Sequence, residues 1–136
     1  MNSTLASDAA TDQNSQQVSE LVDESVLEQM IRDTSADIIP ILIDHYVEES
    51  QTRLVAIKEA VAQNDAQTLE FEVHTLGSTA LSLGNHPLGE LARALEKQCL
   101  EQSHDAAFRQ VDELLELAER SIKALLERKE AGFSEL

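Results

Sequence analysis

In the stretch EFEVHTLGSTALSLG, residues 70 to 84, one side chain stands out as able to do chemistry. Leu69, Val73, Leu76, Ala80 and Leu83 recur at steps of four and three, the period of one buried helix face. His74 lies off that stripe, about 140° round a helix wheel drawn at 100° per residue, so its imidazole is expected to face water. Gly77 at i+3 and Ser78 at i+4 share the exposed side, while Phe71 and Leu81 flank the imidazole with apolar surface that the core does not claim. A solvent-facing nucleophile with small C-terminal neighbours invites the close approach of something large. Gly77 sharpens the point, because a mid-helix glycine costs about 1 kcal/mol relative to alanine and calls for a packing or functional reason. Periodicity alone also fits a plainer reading, a surface histidine beside a helix-packing glycine.

Other chemistries find less support. There is no P-loop, no G-x-G-x-x-G and no Asp or Asn set for nucleotide-bound Mg²⁺, which disfavours an autonomous kinase. A di-metal carboxylate bundle needs two inward Glu-x-x-His pairs. Only Glu101 to His104 has that spacing, at a helix end, and the position three before His74 is Phe71, which cannot ligate. No strained nucleophile turn surrounds Ser78 or another serine, so a hydrolytic triad is not expected. His45, His86 and His104 read as structural or surface residues, and the glutamates of HYVEES as a solvated helix face.

The elements that position His74 follow from the same periodicity. Residues 1–19 are rich in Ser, Thr, Asn, Gln and Asp with almost nothing to bury, and are expected to form a flexible polar tail. A short amphipathic helix over Glu24–Asp33, with Val26, Leu27, Met30 and Ile31 apolar, is expected to cap one end of the domain. The next helix runs from about Ala36 to Ala62, with Pro40 tolerated near its start. QNDA breaks it, and Asp65 is a plausible N-cap for the helix that carries His74. Gly84 supplies a stop in LGNHP, and Pro87 suits the first turn of a helix reaching about Gln102 that buries Leu88, Leu91, Leu95 and Cys99. A last helix, about Asp105–Glu130, buries Phe108 or Val111, Leu115, Ala118, Ile122 and Leu125. Four amphipathic helices of similar length on short connections predict an all-α, up-down antiparallel four-helix bundle over residues 20–131, with residues 132–136 as its C-terminal end.

Composition agrees. The chain has 136 residues, 42% hydrophobic but only 3% aromatic, with four Gly and two Pro, a balance that suits long helices in one domain. Ten Lys and Arg against 26 Asp and Glu give a net charge of −16, which should repel nucleic acid and anionic lipid and favour partners with basic or metal-bearing surfaces. No apolar run is long enough to span a membrane, and the N-terminal residues lack the basic and apolar regions of a secretory signal, so a cytoplasmic location is expected. The lone Cys99 cannot form an internal disulfide and reads as a buried thiol.

The string HTLGSTALSLG followed by LGELARALEKQC resembles the signature of histidine phosphotransfer (HPt) domains. In that family an exposed His is followed by Leu at i+2, Lys at i+3, small residues at i+4 and i+5 and Leu-Gly at i+9 and i+10. His74, Leu76, Ser78, Thr79, Leu83 and Gly84 fit, as do Leu91, Leu95 and Glu96 in the leucine-rich segment that follows. The layout resembles the family over about residues 21–130, with the specific motif confined to about 70–100. Ser78 at i+4, the small size and the free-standing layout are most similar to the LuxU type of quorum-sensing phosphorelay protein. Gly77 stands where the family usually has Lys, whose ammonium can pair with the phosphoryl group, and Arg93 and Lys97 on the neighbouring helix are the candidate replacements.

The resemblance implies that His74 is the phosphoacceptor, attacking a receiver domain's phosphoaspartate in line with the leaving carboxylate. A neutral imidazole is needed, and an exposed one is mostly neutral at cytoplasmic pH. It further implies partners in a receiver domain and a hybrid sensor kinase, Mg²⁺ on the receiver, no cofactor of the chain's own and a monomeric carrier without kinase activity. Glu70, at i−4, is a candidate to hold the Nδ1 proton and free Nε2, and docking is expected around Phe71, Leu81, Gly77 and Ser78. The alternative is an acidic helical adaptor related to HPt domains, in which Gly77 marks lost chemistry and the chain binds a partner without phosphotransfer.

Overall fold

The computed structural model describes residues 16–136, and the expected tail lies outside the described residues as far as residue 15. Over residues 16–19 the tail expectation fails, because α1 covers residues 16–21. The apolar signal is small but sufficient: Val18 packs partly buried on the core, and Leu21 and Val22, just beyond the expected tail, are buried. Five further helices follow: α2 (Glu24–Asp33), α3 (Ile39–Ala62), α4 (Ala66–Ser82), α5 (His86–Leu100) and α6 (His104–Glu130). Among the described residues there is no strand.

Helix starts are set by local chemistry. Asp23 caps α2, its carboxylate accepting the Ser25 N–H at 3.0 Å and the Ser25 hydroxyl at 2.6 Å. Asp65 caps α4 as expected, accepting the Thr68 N–H at 3.1 Å and the Thr68 hydroxyl at 2.6 Å. Helix α3 begins at Ile39 rather than Ala36. A helix starting at Ala36 would need residue 40 to donate to the Ala36 carbonyl, and Pro40 has no N–H to give. The Ala36 N–H goes instead to Glu135 Oε1 at 2.6 Å. Helix α5 stops at Leu100, short of the expected Gln102, because Gln102 turns left-handed at φ 63°.

Helices α3, α4, α5 and α6 pack in a ring, each on its sequence neighbour and α6 back on α3, with α2 against α3. Residues 63–65, 83–85 and 101–103 are the only connections, so consecutive helices run antiparallel and the expected up-down bundle forms. Leu27, Ile43, Ile57, Leu69, Val73, Leu76, Leu88, Leu95, Leu114 and Leu125 are fully buried between them. At about 1.5–3 kcal/mol per fully buried large apolar side chain, this core is the main favourable term in folding.

Helices α4 and α5 approach closely along their seam. A Cβ on Gly77 would lie 3.3 Å from Ala92 Cβ and 3.5 Å from the Gly89 carbonyl, and one on Gly89 would lie 3.3 Å from the Gly77 carbonyl. The two helices therefore meet backbone to backbone. Their connecting turn needs Gly84, at φ +88°, whose carbonyl accepts the Asp23 N–H at 2.8 Å. The next residue, Asn85, is fully buried and donates from Nδ2 to the carbonyls of Leu21 at 2.8 Å and Ser121 at 3.3 Å. One amide thus fastens the tip of the α4–α5 hairpin to α1 and α6. At the other terminus Arg128 holds Glu24 through two nitrogens, donates to the Gly132 carbonyl at 2.7 Å and stacks 4.4 Å from the Phe133 ring centroid.

Candidate functional site

His74 projects from the outward face of α4 with its side chain 61% exposed. The neighbouring Leu69, Val73, Leu76 and Ala80 are buried, so the stripe that predicted an outward imidazole is the one that anchors α4. Leu83 lies half-buried just past the helix end, and Gly77 completes the inner face in its place.

The imidazole is held from across the seam. Nδ1 of His74 lies 2.6 Å from Oε2 of Glu96 on α5, whose side chain is 22% exposed. The geometry fits Nδ1–H donating to the carboxylate, which leaves the Nε2 lone pair free. Glu70, expected to play this part, lines the same shallow depression with Gln67, Phe71, His74 and Glu96 but does not hold Nδ1. The stagger of the two helices is the reason. Antiparallel helices that meet closely where Gly77 faces Ala92 bring His74 level with Glu96 one turn further on, and sequence spacing along a single helix cannot show a partner on the next. Glu96 was visible in the sequence as part of a leucine-rich motif, and its role needed the register of the seam.

Gly77 is buried rather than exposed, and serves the α4–α5 contact. The packing alternative accounts for it. Ser78 is exposed beside His74, as expected. Leu81 is half-buried, with its Cγ 2.5 Å from where a Gly89 Cβ would stand, so it fills the seam rather than offering a free docking surface. Phe71 is 62% exposed, and Leu100, which the sequence did not single out, is 60% exposed on α5. Arg93 and Lys97 are both exposed, with Lys97 3.9 Å from Glu101 just past the end of α5.

The remaining candidates stay apart from this site. Cys99 is buried and free, and burial first, then the Glu70 and Glu96 carboxylates, push its thiol up, which keeps it an unreactive apolar group. His45 pairs with Glu49 at 3.6 Å, His86 with Asp23 at 3.3 Å, and His104 opens α6. Among the described residues no three His, Cys, Asp or Glu side chains cluster to hold a metal ion, and no helix is long and apolar enough to cross a membrane.

An exposed imidazole carried mid-helix on an antiparallel bundle and polarised by a carboxylate is the arrangement of a phosphoryl carrier. The sequence model of the family described as Hpt domain matches residues 41–128. The bundle superposes with a TM-score of 0.69 on the crystal structure of histidine-containing phosphotransfer protein B (HptB) from Pseudomonas aeruginosa PAO1, at 24% identity over 81% of this chain and 93% of that one. No curated protein matches the chain. The chain belongs to the Hpt domain family. Its members are phosphocarriers of two-component phosphorelays, not kinases, and they interact with receiver domains and kinases.

Proposed function

We propose that His74 is the phosphoacceptor through which this Hpt domain passes a phosphoryl group between receiver-domain aspartates. The observation that carries the reading is the 2.6 Å bond from Nδ1 to Glu96 on an otherwise open imidazole. With Nδ1 protonated and held, Nε2 presents its lone pair outward. It forms the N–P bond as the P–O bond of the receiver's phosphoaspartate breaks, and the carboxylate leaves with the electron pair. The ring keeps its Nδ1 proton, and Glu96 balances the positive charge that develops on the imidazolium. The receiver brings its own Mg²⁺, and this chain's residues supply position rather than a buried base.

Phe71 gives the partner an exposed apolar contact beside His74, and Gln67, Glu70 and Ser78 form its polar surround. A monomeric cytoplasmic carrier suits this open face, which needs no second copy. The closer likeness to the LuxU type of quorum-sensing relay rests on Ser78 at i+4 and is tested by transfer from a sensor kinase of that pathway in preference to others.

Incubation with a phosphorylated receiver domain tests the reading. Wild type should take up an acid-labile, alkali-stable label and His74→Gln should take up none, whereas label persisting in the variant would move the site elsewhere. The adaptor alternative is favoured by one observation, the carboxylates of Glu70 and Glu96 around His74 with no lysine at position 77. Stoichiometric receiver binding without label in wild type would establish it instead.

A further inference from the structure

We infer that Arg93 is the cation that meets a phosphoryl group on His74, reaching across the seam through the space that Gly77 leaves open. The inference rests on His74 being the phosphoacceptor. The phosphoryl group itself carries about −1.5 to −2 charges and sits beside Glu70 and Glu96, which line the depression with the imidazole. Such a group needs a positive partner. Helix α4 carries no Lys or Arg, and α5 carries two, Arg93 and Lys97.

The two differ in where they point. Lys97 turns towards Glu101 at the C-terminal end of α5, 3.9 Å away. Arg93 turns across: its Cγ lies 3.7 Å from where a Cβ on Gly77 would stand, so its aliphatic stem lies over α4 one turn past His74. Arg93 also stands one turn before Glu96, the residue that holds the imidazole. No carboxylate lies within ion-pair distance of Arg93 among the described residues, whereas Arg53 on α3 is taken by Glu72 at 3.2 Å. The guanidinium is thus an exposed, uncommitted cation whose stem runs over the helix that bears the nucleophile, and its planar fork suits phosphoryl oxygens. Gly77 makes the route possible, because any side chain longer than alanine there would occupy the path of the stem.

The test charges wild type and variants with potassium phosphoramidate, so that no receiver is involved, and follows phosphohistidine by ³¹P NMR and by loss of acid-labile label. Phosphoryl passes to Nε2 as the donor's P–N bond breaks and ammonia leaves. Arg93→Gln should shorten the phosphohistidine half-life roughly threefold to tenfold, with Arg93→Lys intermediate and Lys97→Gln close to wild type. Added salt should shorten the wild-type half-life towards the Arg93→Gln value and leave that variant's unchanged, a dependence that a merely structural role would not produce. Equal half-lives in wild type and Arg93→Gln, or a larger loss in Lys97→Gln, would overturn the inference while the phosphoacceptor reading stands. Wild type that takes no label from phosphoramidate, or His74→Gln that takes it, would overturn that reading instead.

Discussion

Two side chains at the α4–α5 hairpin decide most at the scale of single residues. Glu96→Ala removes the Nδ1 partner and lets the imidazole populate both tautomers, so the rate of label uptake from a phosphorylated receiver should fall severalfold. Glu70→Ala, in the same depression but without a bond to Nδ1, should change that rate little, and single-turnover labelling compares the two. Asn85→Ala leaves the Leu21 carbonyl without its donor inside the core and removes a second bond to the Ser121 carbonyl of α6, at a cost of about 1–3 kcal/mol read from the urea midpoint. His74 was legible in the sequence because a four-three stripe on one helix defines what points away from it. Glu96 was not, because its role depends on how two helices are staggered, a quantity that no single helix encodes.

Glycines and caps carry the argument at the scale of elements. At Gly77 an added Cβ would press Ala92 at 3.3 Å, a contact offset by the helix propensity that alanine gains, so Gly77→Ala should shift stability by no more than about 1 kcal/mol. At Gly89 the added atom would overlap Leu81 Cγ at 2.5 Å, so Gly89→Ala should destabilise by about 1–3 kcal/mol despite the same gain in propensity, as denaturant melts can compare. Lysine at 77, the residue usual in the family, would have to drive its stem into the seam. The caps give a pH dependence. Hydroxyl bonds from Ser25 and Thr68 are the main reason that the Asp23 and Asp65 carboxyls lie below their ordinary 3.8. Groups lowered on folding stabilise fully above that value and cease to do so as pH falls through their folded values. Thermal midpoints should therefore drop below about pH 4, and less steeply in Asp23→Asn and Asp65→Asn. Asp65, Gly84 and Pro87 were readable because each acts within four residues. The start of α3 was misplaced because the hydrogen-bond consequence of Pro40 was set one turn too late.

For the whole molecule, charge dominates. A net charge of −16 on 136 residues repels itself in the folded state, so raising ionic strength from low to physiological should raise the thermal midpoint. The bundle itself was legible from helix lengths and short connections, since three tight turns leave four helices little choice but to run antiparallel. The involvement of α1 was not, because its few apolar residues find their partners in distant parts of the chain, where Asn85 donates to the Leu21 carbonyl. That same amide has a consequence for signalling speed. With its tip pinned on two sides and its limbs touching along the backbone, the mount of the proposed phosphoacceptor is already stiff before any encounter, so an arriving partner finds it aimed. Turnover would then be governed by how quickly partners come and go, and not by rearrangement of the carrier.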